Sequence, residues 1–469
     1  MVALALVVAA CGDDDDDDAT TDTDAPTTTA AAEEEEEDTA TTEAMEEEEG
    51  TATTEAMEEE EEEDEAPVEA DGEPIKVAIL ADFTGAFAPL VTEIAAGQEV
   101  YWDNVNERGG IDGRPIELLI EDMAYDVAKM QEKYEIIREE ADIISLSVGS
   151  PHTAAIASNL VEDDLLAVPL TWYSGWAFGE LGQNVYESYT NYCIESMNGL
   201  EWLNVNRDVQ TVAIAGFPGE YGGDGSAGAV LAAEALGLEV VYDGSGLVTP
   251  PTADNPDPDQ SGVISEIVSS GADAVWTTIN PATLGKIMGG AAAQGYTGLW
   301  SGNSPSYSFK MLGNPQLAPL LDQYYIQSTY IVTFGTDVPG MAQLVEEMTA
   351  GRPDLPVSDV YVLSYTEGKI AEAILQAASD AGDLSRAGIL EAAKTVSVDF
   401  EGLAPNQTWE GDPNDFVVRE SYIYDVDLAS YIPTNLDDPT GKTGSVLLDG
   451  PYVSEIAANF DFTEPCYTG

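Results

Sequence analysis

From Ile75 onward the chain alternates short runs rich in β-branched residues with longer segments of amphipathic, helical spacing, and this alternation limits the possible folds more than any other feature. The first series reads "IKVAILADF", a helical stretch over Val91–Glu107, "PIELLIED", a helical stretch over Val127–Glu140, "DIISLSV", a third over Pro151–Glu162, and "LLAVPLTW". A second series has strand-like runs "TVAIAGF", "LEVVYDG", "ADAVWTTI" and "TGLWSGN", separated by helical stretches over Gly222–Leu236, Gln260–Ser270 and Pro281–Gln294. Strand, helix, strand in succession predicts a parallel sheet covered on both faces, so the two series predict an α/β protein of two doubly wound parallel-sheet lobes. Ligands of open parallel sheets bind beyond the carboxyl ends of the strands, and two such sheets facing each other predict a cleft.

Ahead of the first strand the chain is of another kind. From Gly12 to Pro74 it is Asp, Glu, Thr and Ala with little else, no Lys or Arg precedes Lys76, and "TATTEAMEEEE" occurs at both Thr39–Glu49 and Thr51–Glu61. Such a segment cannot bury enough apolar surface to offset its ordering entropy, and its charges repel one another, so residues 12–74 are expected to be a disordered acidic linker. With 89 acidic against 15 basic residues the net charge is −74. A basic footprint for phosphates is missing, which excludes nucleic acid as a partner. The opening "MVALALVVAACG" is apolar but too short to span a bilayer, and Val8-Ala9-Ala10-Cys11 resembles a lipobox, although no Lys or Arg precedes the run. That resemblance implies a signal remnant over 1–11, lipid on Cys11, and a protein anchored to the outer face of the cytoplasmic membrane.

Five stretches carry a more specific likeness: "IKVAILADFTGAFAP", "NERGGIDGRPIELLIEDMAYD" at Asn106–Asp126, "GSPHTAAIA", "AGFPGEYGGDG" at Ala215–Gly225 and "GADAVWTTINPATLGKIMGGAAAQGY". Together they resemble extracellular substrate-binding proteins of ABC importers, in the leucine/isoleucine/valine-binding family with the type 1 periplasmic-binding fold, over Ile75 to about Tyr424. The resemblance implies three hinge crossings, placed near Tyr186–Thr190, Tyr325–Tyr330 and Gln407–Gly411. One lobe is then built from 75–188 and 330–407, the other from 189–329 and 408–469. It also implies a small-molecule ligand held in the interlobe cleft, with permease and ATPase subunits as partners and no cofactor or metal.

The corner "VGSPHTA" has a physical reading of its own. Ser150 can cap a helix whose first residue is Pro151, aiming free N–H groups, the dipole and the hydroxyls of Ser150 and Thr153 at the cleft, a receptor suited to a carboxylate. The family uses this corner for its ligand's carboxylate, so the resemblance makes Ser150 and Thr153 the leading candidates, followed by Thr171, Tyr173 and Ser174 in "PLTWYSGW" and by Tyr221 in "GEYGGDG". Trp172, Tyr173 and Trp176 make that near loop aromatic, which favours a larger or flatter ligand. Asn280 and Asn303 stand where amino-acid binders place a carboxylate for the ammonium group; Asp224 or Glu220 could supply one instead. Amino acid, amide and aromatic acid therefore stay open, with leucine, isoleucine and valine not expected to bind best.

Ser150 and His152, the only histidine, are two apart on a capped turn and point away from each other, so no catalytic site is expected and His152 is read as a partly exposed residue near the cleft mouth. The other classes open to this fold are the sensing domain of a signalling receptor and an enzyme. No apolar run long enough to cross a membrane follows the globular part, which favours the transport reading over the receptor. Cys193 and Cys466 are either paired or free; a disulfide between them is expected to hold down the segment after about Leu428.

Overall fold

The computed structural model describes residues 70, 72–179, 181–355, 358–433 and 442–469. The lipobox with Cys11, and the acidic tract up to 69, lie outside the described residues. The first series becomes β1 (Ile75–Ala81), α1 (Ala88–Glu107), β2 (Ile116–Asp122), α2 (Val127–Ile137), β3 (Ile143–Val148), α3 (Ser150–Glu162) and β4 (Ala167–Leu170), with the strands ordered β2-β1-β3-β4 and all pairs parallel. The second becomes α4 (Tyr192–Arg207), β5 (Thr211–Gly216), α5 (Gly219–Leu236), β6 (Glu239–Gly244), α6 (Ser261–Ser270), β7 (Ala274–Thr278), α7 (Pro281–Ala293) and β8 (Leu299–Gly302), ordered β6-β5-β7-β8 and again parallel. Central strands β1, β3 and β7 are buried on both faces, which is why they read in sequence as near-continuous apolar runs with no alternation.

After α8 (Ala318–Tyr324) and β9 (Ile326–Thr329) the chain returns to the first sheet, where α9 (Pro339–Gly351), α10 (Val360–Asp380) and α11 (Arg386–Ala393) gather, α10 lying against α1 and β3. The short pair β10 (Ser397–Val398) and β11 (Gln407–Thr408) and the turn α12 (Pro413–Phe416) lead back to β12 (Ser421–Val426), β13 (Ser445–Tyr452) and α13 (Glu455–Asn459). β12 pairs antiparallel with both β9 and β13, forming a small third sheet that the strand–helix alternation did not predict. β9 joins it from a part of the chain far from β12 and β13, so that pairing is set by tertiary contact.

α4 and α5 pack so closely that a Cβ on Gly228 would meet the backbone oxygen of Cys193 at 2.3 Å, so only glycine fits there. On this same helix Cys193 forms a disulfide with Cys466, across a sequence separation of 273. The bond fixes the C-terminal segment to α4, where α13 also packs and where Ser454 and Glu455 donate backbone hydrogen bonds to Asn198 and Glu201. Alkylation of the denatured, unreduced chain is expected to label neither Cys193 nor Cys466, and Cys466→Ser to lower unfolding stability by about 2–4 kcal/mol through release of that loop. Denaturant titration of both forms measures the difference.

Candidate ligand-binding site

Residues that follow β3, β4 and β8 meet the first half of α1 and the start of α10 around one cavity of about 910 Å³, a volume that includes the space opening to solvent. Phe87, Leu90, Val91 and Ile94 form one side, Trp172, Tyr192 and Tyr221 another, and Pro305, Tyr307, Phe309, Ile331, Val332, Val360 and Leu363 most of the rest. The wall is mainly apolar and aromatic. Among the described residues it carries no Lys, Arg or His, and its one carboxylate is Asp359.

The polar end is built on α3. The helix starts one residue earlier than the sequence suggested: Gly149, at φ 84°, takes the N-cap position and Ser150 is the first helical residue. A Cβ at 149 would meet the His152 ring at 2.5 Å and the Tyr125 ring at 2.9 Å, so both the backbone conformation and the space call for glycine. Thr153 N–H donates to the Gly149 carbonyl, and Pro151 has no N–H, which leaves the Ser150 and His152 amides as first-turn donors without a helical partner. The Ser150 hydroxyl pairs with that of Thr171, and the Tyr192 phenol lies against both.

His152 is not the partly exposed residue expected. It is 2% exposed, with the Tyr125 ring centred 4.2 Å from its own, and burial pushes its pKa down to about 4. A neutral imidazole covered in this way stiffens the corner and adds no charge to it.

Of the candidate residues, Ser150 and Tyr221 line the cavity. Thr171 sits behind Ser150, and Thr153 is turned inward, its hydroxyl 2.8 Å from that of Ser147. Three others join the two halves of the molecule directly. Asn280 caps α7 and donates to the Ala86 carbonyl (3.0 Å), Ser174 N–H and hydroxyl both donate to Asp224 of α5, and Tyr173 hydroxyl donates to the Tyr467 carbonyl (2.6 Å). A Lys310–Glu93 ion pair adds a further bridge. Asn303 is fully buried, donating to the Tyr192 carbonyl (2.9 Å) and to Glu195 (3.0 Å) and accepting from Thr278 (2.9 Å). Sequence reasoning missed the α1 face, Tyr125, Tyr192 and Asp359, and in the loop after β8 it singled out Asn303 but not Ser304, Pro305 and Tyr307, whose signal is the place of that loop at the carboxyl end of a parallel strand.

Apart from Asp359 at the start of α10, the carboxylates that could meet an ammonium group are engaged elsewhere or lie off the cavity wall. Burial raises Asp224 to about 7 against the hydrogen bonds of Ser174, and Glu220 is not on the cavity wall. Glu195 accepts from Asn303, from Ser304 N–H (2.9 Å) and from Ser328, yet burial still pushes it up to about 8.

The fold and this cleft define a class, and comparisons with known proteins agree. The sequence model of the periplasmic binding protein family matches residues 74–430, and the chain belongs to that family. A fatty acid ABC transporter substrate-binding protein from Thermomonospora curvata superposes with a TM-score of 0.73 at 26% identity, over 83% of this chain and 94% of that one. A branched chain amino acid ABC transporter from Thermus thermophilus with bound valine gives 0.67 at 15% identity, over 82% and 98%. A solute binding protein of an ABC transporter from R. palustris, in complex with benzoate, gives 0.64 at 19% identity, over 80% and 95%. No curated protein sequence matches. The chain is a solute-binding protein of the ABC-transporter kind, and none of its described helices is long and apolar enough to cross a membrane.

Because the folded protein keeps the Glu195 proton that the unfolded chain gives up near its ordinary value of 4.5, the stabilisation is whole below about pH 4.5 and is lost as pH rises to about 8. Glu195→Gln cannot ionise. It is expected to gain a few kcal/mol on the wild type between about pH 5 and about pH 9 in urea unfolding, whereas parallel pH profiles would refute the assignment.

Proposed function

We propose that this protein captures a monocarboxylate with an apolar body, a fatty or aromatic acid, and delivers it to an ABC importer. The observation that carries the reading is the composition of the cavity wall, mainly apolar and aromatic, with neutral donors at the α3 end and no ionised partner for an ammonium group there. The ligand's carboxylate would accept hydrogen bonds from the Ser150 and His152 amides and the Ser150 hydroxyl. The helix dipole adds attraction that an apolar, low-dielectric surround does not screen. The Thermomonospora curvata protein, whose name specifies fatty acid, supports the same ligand class.

In this reading 75–188 with 330–407, and 189–329 with 408–469, act as two lobes that close on the ligand. The bonds Ser174–Asp224, Tyr173–Tyr467 and Asn280–Ala86 hold the closed state that permease subunits recognise. Lipid on Cys11 keeps the protein at the membrane, with the acidic linker as spacer.

In a thermal-shift screen of octanoate, benzoate, leucine, valine and acetamide, the two simple acids are expected to give the largest shifts; a largest shift with leucine or valine would sink the reading. Ser150→Ala should weaken binding of the better acid by about 1–3 kcal/mol by calorimetry. For the anchor, Cys11→Ser should move the protein from the membrane to the soluble fraction, and unchanged membrane association would count against it.

A further inference from the structure

We propose that Asp359 reads the far end of the ligand, accepting a hydrogen-bond donor such as a terminal hydroxyl and rejecting a second carboxylate. The inference rests on the reading above, in which the carboxylate head lies at Ser150.

Helix α1 serves as a ruler along the cavity. Phe87, the residue before its first turn, packs its ring 4.9 Å from that of Tyr125, which covers His152 in the first turn of α3, so Phe87 marks the head end. Further along, Glu93 accepts a hydrogen bond from Ser358 (2.7 Å), the residue next to Asp359, so Ile94 marks the opposite end. At 1.5 Å per residue the two ends are separated by about 10 Å, a span that an extended medium-length acyl chain fills.

At that far end the wall includes Ile94, Val332, Thr333, Val360 and Leu363, and Asp359 is the one charged group among them. The Asp359 Oδ1 accepts from Phe334 N–H (2.8 Å), which fixes the carboxyl group, while among the described residues Oδ2 accepts nothing. A purely hydrocarbon tail would strip water from Oδ2 and give it no partner, at a cost in affinity. A terminal hydroxyl satisfies it. A second carboxylate meets it with like charge in an apolar surround, and no cation on the wall offsets the repulsion. Burial pushes Asp359 up to about 7.

The test is calorimetric titration of the full chain and of Asp359→Asn with octanoate, 8-hydroxyoctanoate and octanedioate at about pH 8, where Asp359 is ionised. For the wild type, 8-hydroxyoctanoate is expected to bind about tenfold tighter than octanoate, and octanedioate about tenfold weaker. In Asp359→Asn the amide N–H can donate to the second carboxylate, so octanedioate should bind at least as tightly as octanoate. Wild-type affinities for octanoate and octanedioate that coincide, or a ranking unchanged by Asp359→Asn, would overturn the proposal and leave the monocarboxylate reading intact. If the variant does not fold, the wild-type ratios alone decide. Should octanoate fail to bind while leucine binds, the reading of the head group itself falls and this inference with it.

Discussion

Glu195 is a carboxyl group sealed from water in the first turn of α4, and much of one side of the cavity is positioned through it. It gathers Asn303 and Ser304 from the loop after β8 and Ser328 from β9 onto the start of α4. Those segments carry Tyr192, Tyr307, Phe309 and Thr329 into the cavity. A buried carboxyl group with specific partners leaves its neighbours few alternative positions, because any shift exposes an unsatisfied polar atom to an apolar interior. Kept protonated by burial, it also adds no negative charge beside the cavity.

The overall charge works against the proposed anionic ligand. The chain carries −74, and at physiological ionic strength the field of exposed carboxylates decays within about 8 Å. Capture of the proposed acid would therefore depend on local terms: the α3 amides, the Ser150 hydroxyl and the apolar wall, whose burial of a hydrocarbon body contributes about 25 cal/mol per Å². Salt should weaken the long-range repulsion and leave the short-range contacts nearly untouched.

The C-terminal segment has a larger part in the cleft than its position in the chain suggests. Cys466 is bonded to α4, its N–H donates to Ser174 (2.9 Å), and the next residue, Tyr467, accepts from Tyr173 while its ring lies where a Cβ on Gly223 would otherwise stand. The tail thus touches the loop after β4 and helix α5 together, at the place where Ser174 and Asp224 join the two halves. Separation of the halves has to break these bonds as well as Asn280–Ala86 and Lys310–Glu93.

Sequence alone pointed to parallel sheets, because alternating apolar runs and amphipathic segments bury a parallel sheet between helices, and β1 to β8 lie where those runs occur. It also located the α3 corner, where Pro151 opens the helix through local backbone geometry, while the cap at Gly149 and the burial of His152 against Tyr125 came only with the structure. The family resemblance assigned Tyr173, Ser174 and Asn280 to a ligand, and in the structure they hydrogen-bond to Tyr467, Asp224 and Ala86. Tertiary structure decided what faces the cavity. The α1 face, Tyr192 and Asp359 come together from parts of the chain far apart in sequence, and a buried Leu or Tyr reads the same whether it packs on protein or lines a cavity. It also decided the third sheet and the proximity of Cys193 to Cys466, since strand pairing and a disulfide both require distant backbone segments to meet, and no spacing within either segment encodes that meeting.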